Sequence, residues 1–186
     1  MWIQDILISA LRRAGREDIA EYIESGFDPY GEYADVIQIM MYCINAVEDE
    51  LARYYFPLTY TETLRATEGN IFKFSDFSRT PVKILKVKHG GREIKYELQP
   101  NYIVAERGEI EVTYCYTPKK KLQDGQSEFG AISDGSITAL GAAAEYCLIC
   151  GEISMAEMLE TRYHEAIDRV QRKKNSEVYV PPRRWI

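Results

Sequence analysis

The side chains of this 186-residue sequence that could carry chemistry are four cysteines, two histidines and a set of scattered carboxylates. Cys147-Leu148-Ile149-Cys150 has the spacing of half a metal site. A closed tetrahedral site needs a second pair of ligands, and neither His89 nor His164 stands at a ligand spacing. Two small cysteines inside a helical stretch read as core packing. Cys147 and His164 would make a thiol and base pair if the last two helices ran antiparallel, but His164 lies between Tyr163 and Glu165 on a solvated stretch, with no third residue to orient it. Glu48, Asp49 and Glu50 are adjacent, so they splay around a helix and read as a solvated face. No phosphate-cradling glycine loop, nucleophile elbow or His-Glu-x-x-His run occurs. The sequence thus reads as a non-enzyme, with no catalytic residue, cofactor or metal.

The segment that a passive end explains worst is Val178-Tyr179-Val180-Pro181-Pro182-Arg183-Arg184-Trp185-Ile186. Trp and Arg are the usual anchors of interfaces, and proline lowers the ordering cost of an extended peptide. Tyr179, Pro181, Pro182, Arg183, Arg184, Trp185 and Ile186 are therefore the candidate partner-binding residues, read as a docking arm. The 14 tyrosines add side chains that suit protein interfaces. Tyr54-Tyr55-Phe56 reads as a junction between elements.

Positioning such an arm requires a folded body. Ile3, Ile6, Leu7, Ala10, Leu11 and Ala14 form one helical stripe that Gly15 ends. A short helix is expected from Asp18, capped by its own carboxylate with Glu21 three residues on, before a loop at Gly26, Pro29 and Gly31. From Val36 to Phe56 the set Val36, Met40, Ile44, Val47, Leu51 and Tyr54 keeps the helical period, and Pro57 closes it.

The period then changes. Short β-branched and aromatic runs are separated by Glu68-Gly69-Asn70, His89-Gly90-Gly91 and Glu106-Arg107-Gly108, which read as hairpin turns. Val82 to Val87, Ile94-Tyr96-Leu98 and Ile110-Val112-Tyr114-Tyr116 are the expected strands, with Lys83, Lys86, Lys88, Lys95 and Arg92 on a solvated face. After a polar loop from Pro118 to Gly130, a helix from about Ser133 to Ile149 passes through Ala139–Ala144, and Gly151 fits its cap. A last helix begins at Ser154 with Glu157, carrying Met155, Met158, Leu159, Tyr163, Ala166, Ile167 and Val170 on one face.

The expected fold class is α+β: a helical bundle interrupted by a β-rich antiparallel insert, with an extended C-terminal tail. Residues 1–57 hold the N-terminal helices of the bundle, 58–117 the insert, 118–175 a loop and the C-terminal helices, and 176–186 the arm. A hydrophobic content of 46% supplies a core, the net charge is -6, and no apolar run approaches the length of a membrane span. The first residues lack the basic start of a signal peptide, and the cysteines show no disulfide framework, which together point to synthesis in a reducing cytoplasm. Overall acidity argues against broad nucleic-acid binding. Charge is uneven: residues 1–57 carry eleven acids and four bases, residues 169–186 six bases and one acid.

The order of elements resembles the head-to-tail adaptor, or connector, proteins of tailed bacteriophages. The likeness lies in Asp5-Ile6-Leu7-Ile8-Ser9-Ala10-Leu11-Arg12-Arg13-Ala14-Gly15, in the long helix before Phe56-Pro57-Leu58, and in Val112-Thr113-Tyr114-Cys115-Tyr116-Thr117-Pro118. It continues in Gly141-Ala142-Ala143-Ala144-Glu145-Tyr146 followed by Ala156 to Val170. The resemblance implies a structural virion protein at the neck, assembled in the host cytoplasm as a homo-oligomeric ring, commonly a dodecamer. The ring would sit beneath the portal protein, its C-terminal arm on the portal and its insert toward tail or neck proteins. DNA would pass through an acidic lumen without specific binding, and no membrane would be involved. In such a head-to-tail ring, acidic N-terminal helices and a basic arm are complementary. Two other classes fit parts of the sequence: a small regulatory or nucleic-acid-binding protein using the basic end, and a cysteine-dependent enzyme using Cys147 or Cys150.

Overall fold

A computed structural model describes residues 1–26, 31–66, 69–133 and 135–176. The chain divides into a helical unit, residues 1–47 with 121–186, and a β unit, residues 48–120. The fold is α+β, as the residue pattern predicts.

Helix α1, Ile3–Arg13, buries Ile3, Ile6, Leu7, Ala10 and Leu11 completely, and Ala14, the last of the predicted stripe, is buried at its C-cap. Asp5 in its first turn accepts from the Trp2 N–H at 3.3 Å, and Arg12 and Arg13 occupy its last turn, where cations suit the helix dipole. Helix α2, Glu17–Gly26, starts one residue earlier than expected. The Asp18 carboxylate is engaged by the Arg16 guanidinium at 3.1 and 3.2 Å.

Helix α3, Ala34–Glu50, continues into a π-helical turn, Leu51–Tyr55, closed by the Phe56 N–H donating to Leu51 O at 2.7 Å. The wider turn breaks the phase of the apolar stripe. Ile37, Met40, Ile44, Val47 and Leu51 are buried, but Tyr54, expected on the same stripe, is 74% exposed while Phe56 is buried.

Helix α4 is one turn, Gly130–Ser133; α5 spans Ser136–Ile149 and α6 Ile153–Ser176. From Ile137 to Ala144 every side of α5 is buried, as befits the centre of a bundle, and small side chains let its neighbours approach. A Cβ at Gly141 would lie 2.9 Å from Val47 Cγ1 of α3 and 3.0 Å from Tyr163 Cε2 of α6, so glycine sets the spacing of three helices there. Gly151 takes φ 81° and ends α5, with the Glu152 N–H donating to Cys147 O at 2.8 Å. On α6 the buried set is Ala156, Leu159, Tyr163 and Ile167; Met158, expected among them, is exposed.

The β unit holds a four-stranded antiparallel sheet and a three-stranded one. Its strands are β1 Leu58–Arg65, β2 Ile71–Lys73, β3 Pro81–His89, β4 Arg92–Glu93, β5 Glu97–Leu98, β6 Tyr102–Val104 and β7 Glu109–Tyr116. The larger sheet has the order β1-β7-β3-β4, the smaller β2-β6-β5. Ile110, Val112, Tyr114 and Tyr116 point into a core shared with Phe72 and Ile103 of the smaller sheet. His89-Gly90-Gly91 makes the predicted hairpin, both glycines at positive φ. The other two expected hairpins are corrected. The segment around Gly69 leads from β1 to β2 and Glu106-Arg107-Gly108 from β6 to β7, each passing from one sheet to the other. Ile94 to Tyr96, expected as strand, lie between β4 and β5 outside either.

The chain re-enters the helical unit at Lys121, where Asn45 of α3 clamps it. The Lys121 N–H donates to Asn45 Oδ1 at 2.6 Å, and Asn45 Nδ2 donates to Lys121 O at 3.1 Å and to Met41 O at 2.8 Å. Just beyond, Gly125 O accepts from the Ile3 N–H at 2.9 Å and the Ser127 N–H donates to Met1 O at 3.1 Å, tying the returning loop to the start of α1. Asn45→Ala leaves the partly buried Lys121 groups unpaired and is expected to lower the unfolding free energy by roughly 2–3 kcal/mol, measured by urea denaturation. A change within about 0.5 kcal/mol would show that the clamp is not needed.

Candidate functional site

The candidate arm residues Tyr179, Pro181, Pro182, Arg183, Arg184, Trp185 and Ile186 lie outside the described residues. What the structure does give is their root: α6 runs 24 residues, through Ser176, one residue into the segment expected to be extended. On its last described turns Arg169 lies 3.9 Å from Glu165 and Arg172 3.7 Å from Asp168, exposed pairs of the i,i+4 kind.

The thiols have mixed settings. Cys43, Cys115 and Cys147 are buried and Cys150 is exposed at the end of α5. Burial first, then the nearby Glu145 carboxylate, pushes the Cys43 thiol up to about 11. Burial likewise raises Cys147, helped by Glu152 and Cys150. A neutral, sequestered thiol is a poor nucleophile and a poor ligand. His164 is half exposed, its Nε2 3.8 Å from Glu160 Oε1, whereas Cys147 is fully buried, so the two do not share a surface. Among the described residues no group of three or more His, Cys, Asp or Glu side chains is placed to hold a metal.

Beside this pair of cysteines, Arg16 Nη1 donates to Tyr146 Oη at 3.0 Å while the same guanidinium holds Asp18. Burial raises the Tyr146 phenol, a hydrogen bond with Cys150 adds to it, and Arg16 opposes both. The arrangement joins the α1–α2 corner to α5. The acidic run on α3 is not one solvated face: Glu48 is buried, and Asp49 pairs with Arg53 at 2.6 Å.

Sequence reasoning missed a polar knot in the β unit. The Arg79 guanidinium lies 4.6 Å from the Tyr60 ring centroid and 4.3 Å from that of Tyr116, a double cation–π contact. Glu62 accepts from the Tyr114 hydroxyl and from the Ser78 N–H, the latter at 3.1 Å, and Phe77 packs edge-on against Tyr114 at 5.0 Å. Burial, then the hydrogen bond to Glu62, pushes the Tyr114 phenol up to about 12. At neutral pH it is a donor with no proton to give away, so the knot fastens the 77–79 turn to the sheet. Tyr114 and Tyr116 two apart on one strand were a visible signal for the rings; Glu62 reaches them through the β1–β7 register, and Ser78 and Arg79 through the turn that precedes β3.

A second surface also escaped the pattern. At the turn from α5 to α6, Leu148, Ile149 and Ile153 are 54%, 53% and 50% exposed. A shallow depression alongside is lined by Glu152, Ile153, Ser154, Met155 and Met158. Helical periodicity assigns such residues to a core, and only the position of neighbouring elements leaves them outside. No family model matches this chain, and no curated protein matches it either.

Two measurements follow from this geometry. With a thiol reagent at neutral pH the native protein is expected to label at Cys150 first, with Cys43, Cys115 and Cys147 reacting only on unfolding; rapid labelling of Cys147 would contradict its burial. Because the folded state holds the Tyr114 proton more tightly than the unfolded state, the stabilisation is full below about pH 10 and is lost toward about pH 12. The stability of the native protein relative to Tyr114→Phe is expected to fall over that window in denaturant titrations, and parallel pH profiles would refute the shift.

Proposed function

We propose that this chain is a structural assembly protein of a tailed phage: a head-to-tail adaptor whose copies form a ring between the portal and the tail. The observation that carries the reading is the order of elements. A helical unit is built from both ends of the chain around a β unit, and a basic, aromatic segment follows its last helix. The resemblance to connector proteins lies in this same order of elements. Of the two cysteines an enzyme reading would use, Cys147 is buried with a raised thiol, which counts against it as a nucleophile. The helical unit also carries the acidic charge that suits a lumen through which DNA slides without sticking.

In this reading residues 176–186 reach a neighbouring protein surface with Trp185 as anchor and Arg183 and Arg184 as charged positioners. The test is co-sedimentation with the cognate portal. The full chain is expected to sediment with the portal, and removal of residues 177–186 to abolish this while the thermal transition of the remaining protein moves by less than about 2 °C. A full chain that does not sediment with the portal, or a truncated one that still does, would sink the proposal.

A further inference from the structure

Outside residues 169–186 the helical unit, residues 1–47 and 121–168, carries 17 acidic residues and five basic ones. The six bases of residues 169–186 face the opposite way in charge, against one acid. One part of that acidic body is also apolar and open: the α5–α6 corner. Glu145, Leu148 and Ile149 stand at i, i+3 and i+4 and thus share a face of α5, and Glu152 and Ile153 follow at the turn. All five are exposed, and Glu145 and Glu152 make no ion pair with any described residue. Exposed aliphatic side chains rimmed by uncompensated carboxylates form a surface suited to a peptide that is both aromatic and cationic.

Residues 177–186 have that chemistry: Val178, Tyr179, Val180, Trp185 and Ile186 with Arg183 and Arg184. Reach decides whose tail it is. From Ser176 back to Ile153, α6 is about 34 Å long at its rise of about 1.5 Å per residue. Trp185 stands nine residues beyond Ser176, and nine residues fully extended span at most about 32 Å. Trp185 laid back along its own helix would have to be fully extended to reach its own corner, with no slack left for a turn. A second copy has no such limit.

We propose that the apolar, acidic corner between α5 and α6 receives residues 177–186 of a second copy of this chain, with Trp185 and Ile186 on Leu148, Ile149 and Ile153 and the two arginines against Glu145 and Glu152. The contact is heterologous, since the corner and the tail are different surfaces, and repeated contacts of this kind close into a ring or extend as a chain. It rests on the adaptor reading only for its setting: the portal and the corner compete for the same residues, so this contact belongs to the chain before it meets a portal.

The experiment is complementation by sedimentation velocity, without portal. One chain carries Leu148→Asp and Ile153→Asp and keeps its tail; the other keeps its corner and lacks residues 177–186. Both changes lie on exposed positions, and circular dichroism checks that each chain is folded. The wild-type chain is expected to self-associate, each altered chain to do so at least about tenfold more weakly, and their mixture to form heterodimers. A second pair guards against misfolding: Glu145→Lys with Glu152→Lys should weaken association, and adding Arg183→Glu with Arg184→Glu in the same chain should restore it. A monomeric wild type, a tail-deleted chain that assembles as well as the full one, or a mixture that stays monomeric overturns the inference. Portal binding would be untouched by that failure, just as a failure to bind portal would leave the heterodimer standing.

Discussion

The helical unit exists only if two stretches of chain separated by a whole β unit are brought together, and the two-way hydrogen bond between the Asn45 amide and the Lys121 backbone is where they join. The partners are 76 residues apart. Closing a flexible loop of that length costs on the order of 4 kcal/mol. Two neutral hydrogen bonds contribute about 1 kcal/mol each, too little to close it alone. The β unit removes most of the cost. Its first and last strands pair with each other, Leu58 opposite Tyr116, so the folded sheet already holds the exit and return of the chain side by side. Asn45 then has only short connections left to align, and the carbonyl of Met41 keeps its amide oriented while it does so.

The same division explains the distribution of polar groups. Inside the helical unit, the buried stretch of α5 is mostly small and apolar, with Thr138 its buried polar side chain, and Gly141 lets Val47 and Tyr163 approach closely. The β unit is too thin to be purely apolar. Its core includes the Tyr114 ring, whose hydroxyl must have a partner, and Glu62, Ser78 and Arg79 supply a network in which each group answers another. A carboxylate facing a neutral phenol and a backbone amide is a settled arrangement that fastens the 77–79 turn to the sheet.

Much of the fold could be read from residue order, because amphipathic helices state their buried face directly. Ile3, Ile6, Leu7, Ala10 and Leu11 are an unbroken case, and Ile110-Val112-Tyr114-Tyr116 is its β equivalent. The misreadings arise where local pattern is silent about neighbours. A π-helical turn at Leu51–Tyr55 rotates Tyr54 outward without any glycine or proline to announce it. Gly69 and Gly108 provide positive-φ turns, and nothing local distinguishes a turn back into the same sheet from a step into the next. Met158 looks like core until the helices that fail to cover it are in place. The candidate arm was legible as chemistry, through its Trp, Arg and Pro residues. The surface that would receive it was not, since it is assembled across a helix turn.

The insertion of a continuous β unit into a discontinuous helical one also sets an order of events during synthesis. The β unit is complete once β7 leaves the ribosome, whereas α1 and α3 have no α5 to pack against until Ile149 has been made. At about 5–20 residues per second that interval is a few seconds. During it the first-made helices hold their apolar faces exposed beside a finished domain. The middle of this protein therefore matures before its beginning, whose apolar stripe has to wait for its partner helix.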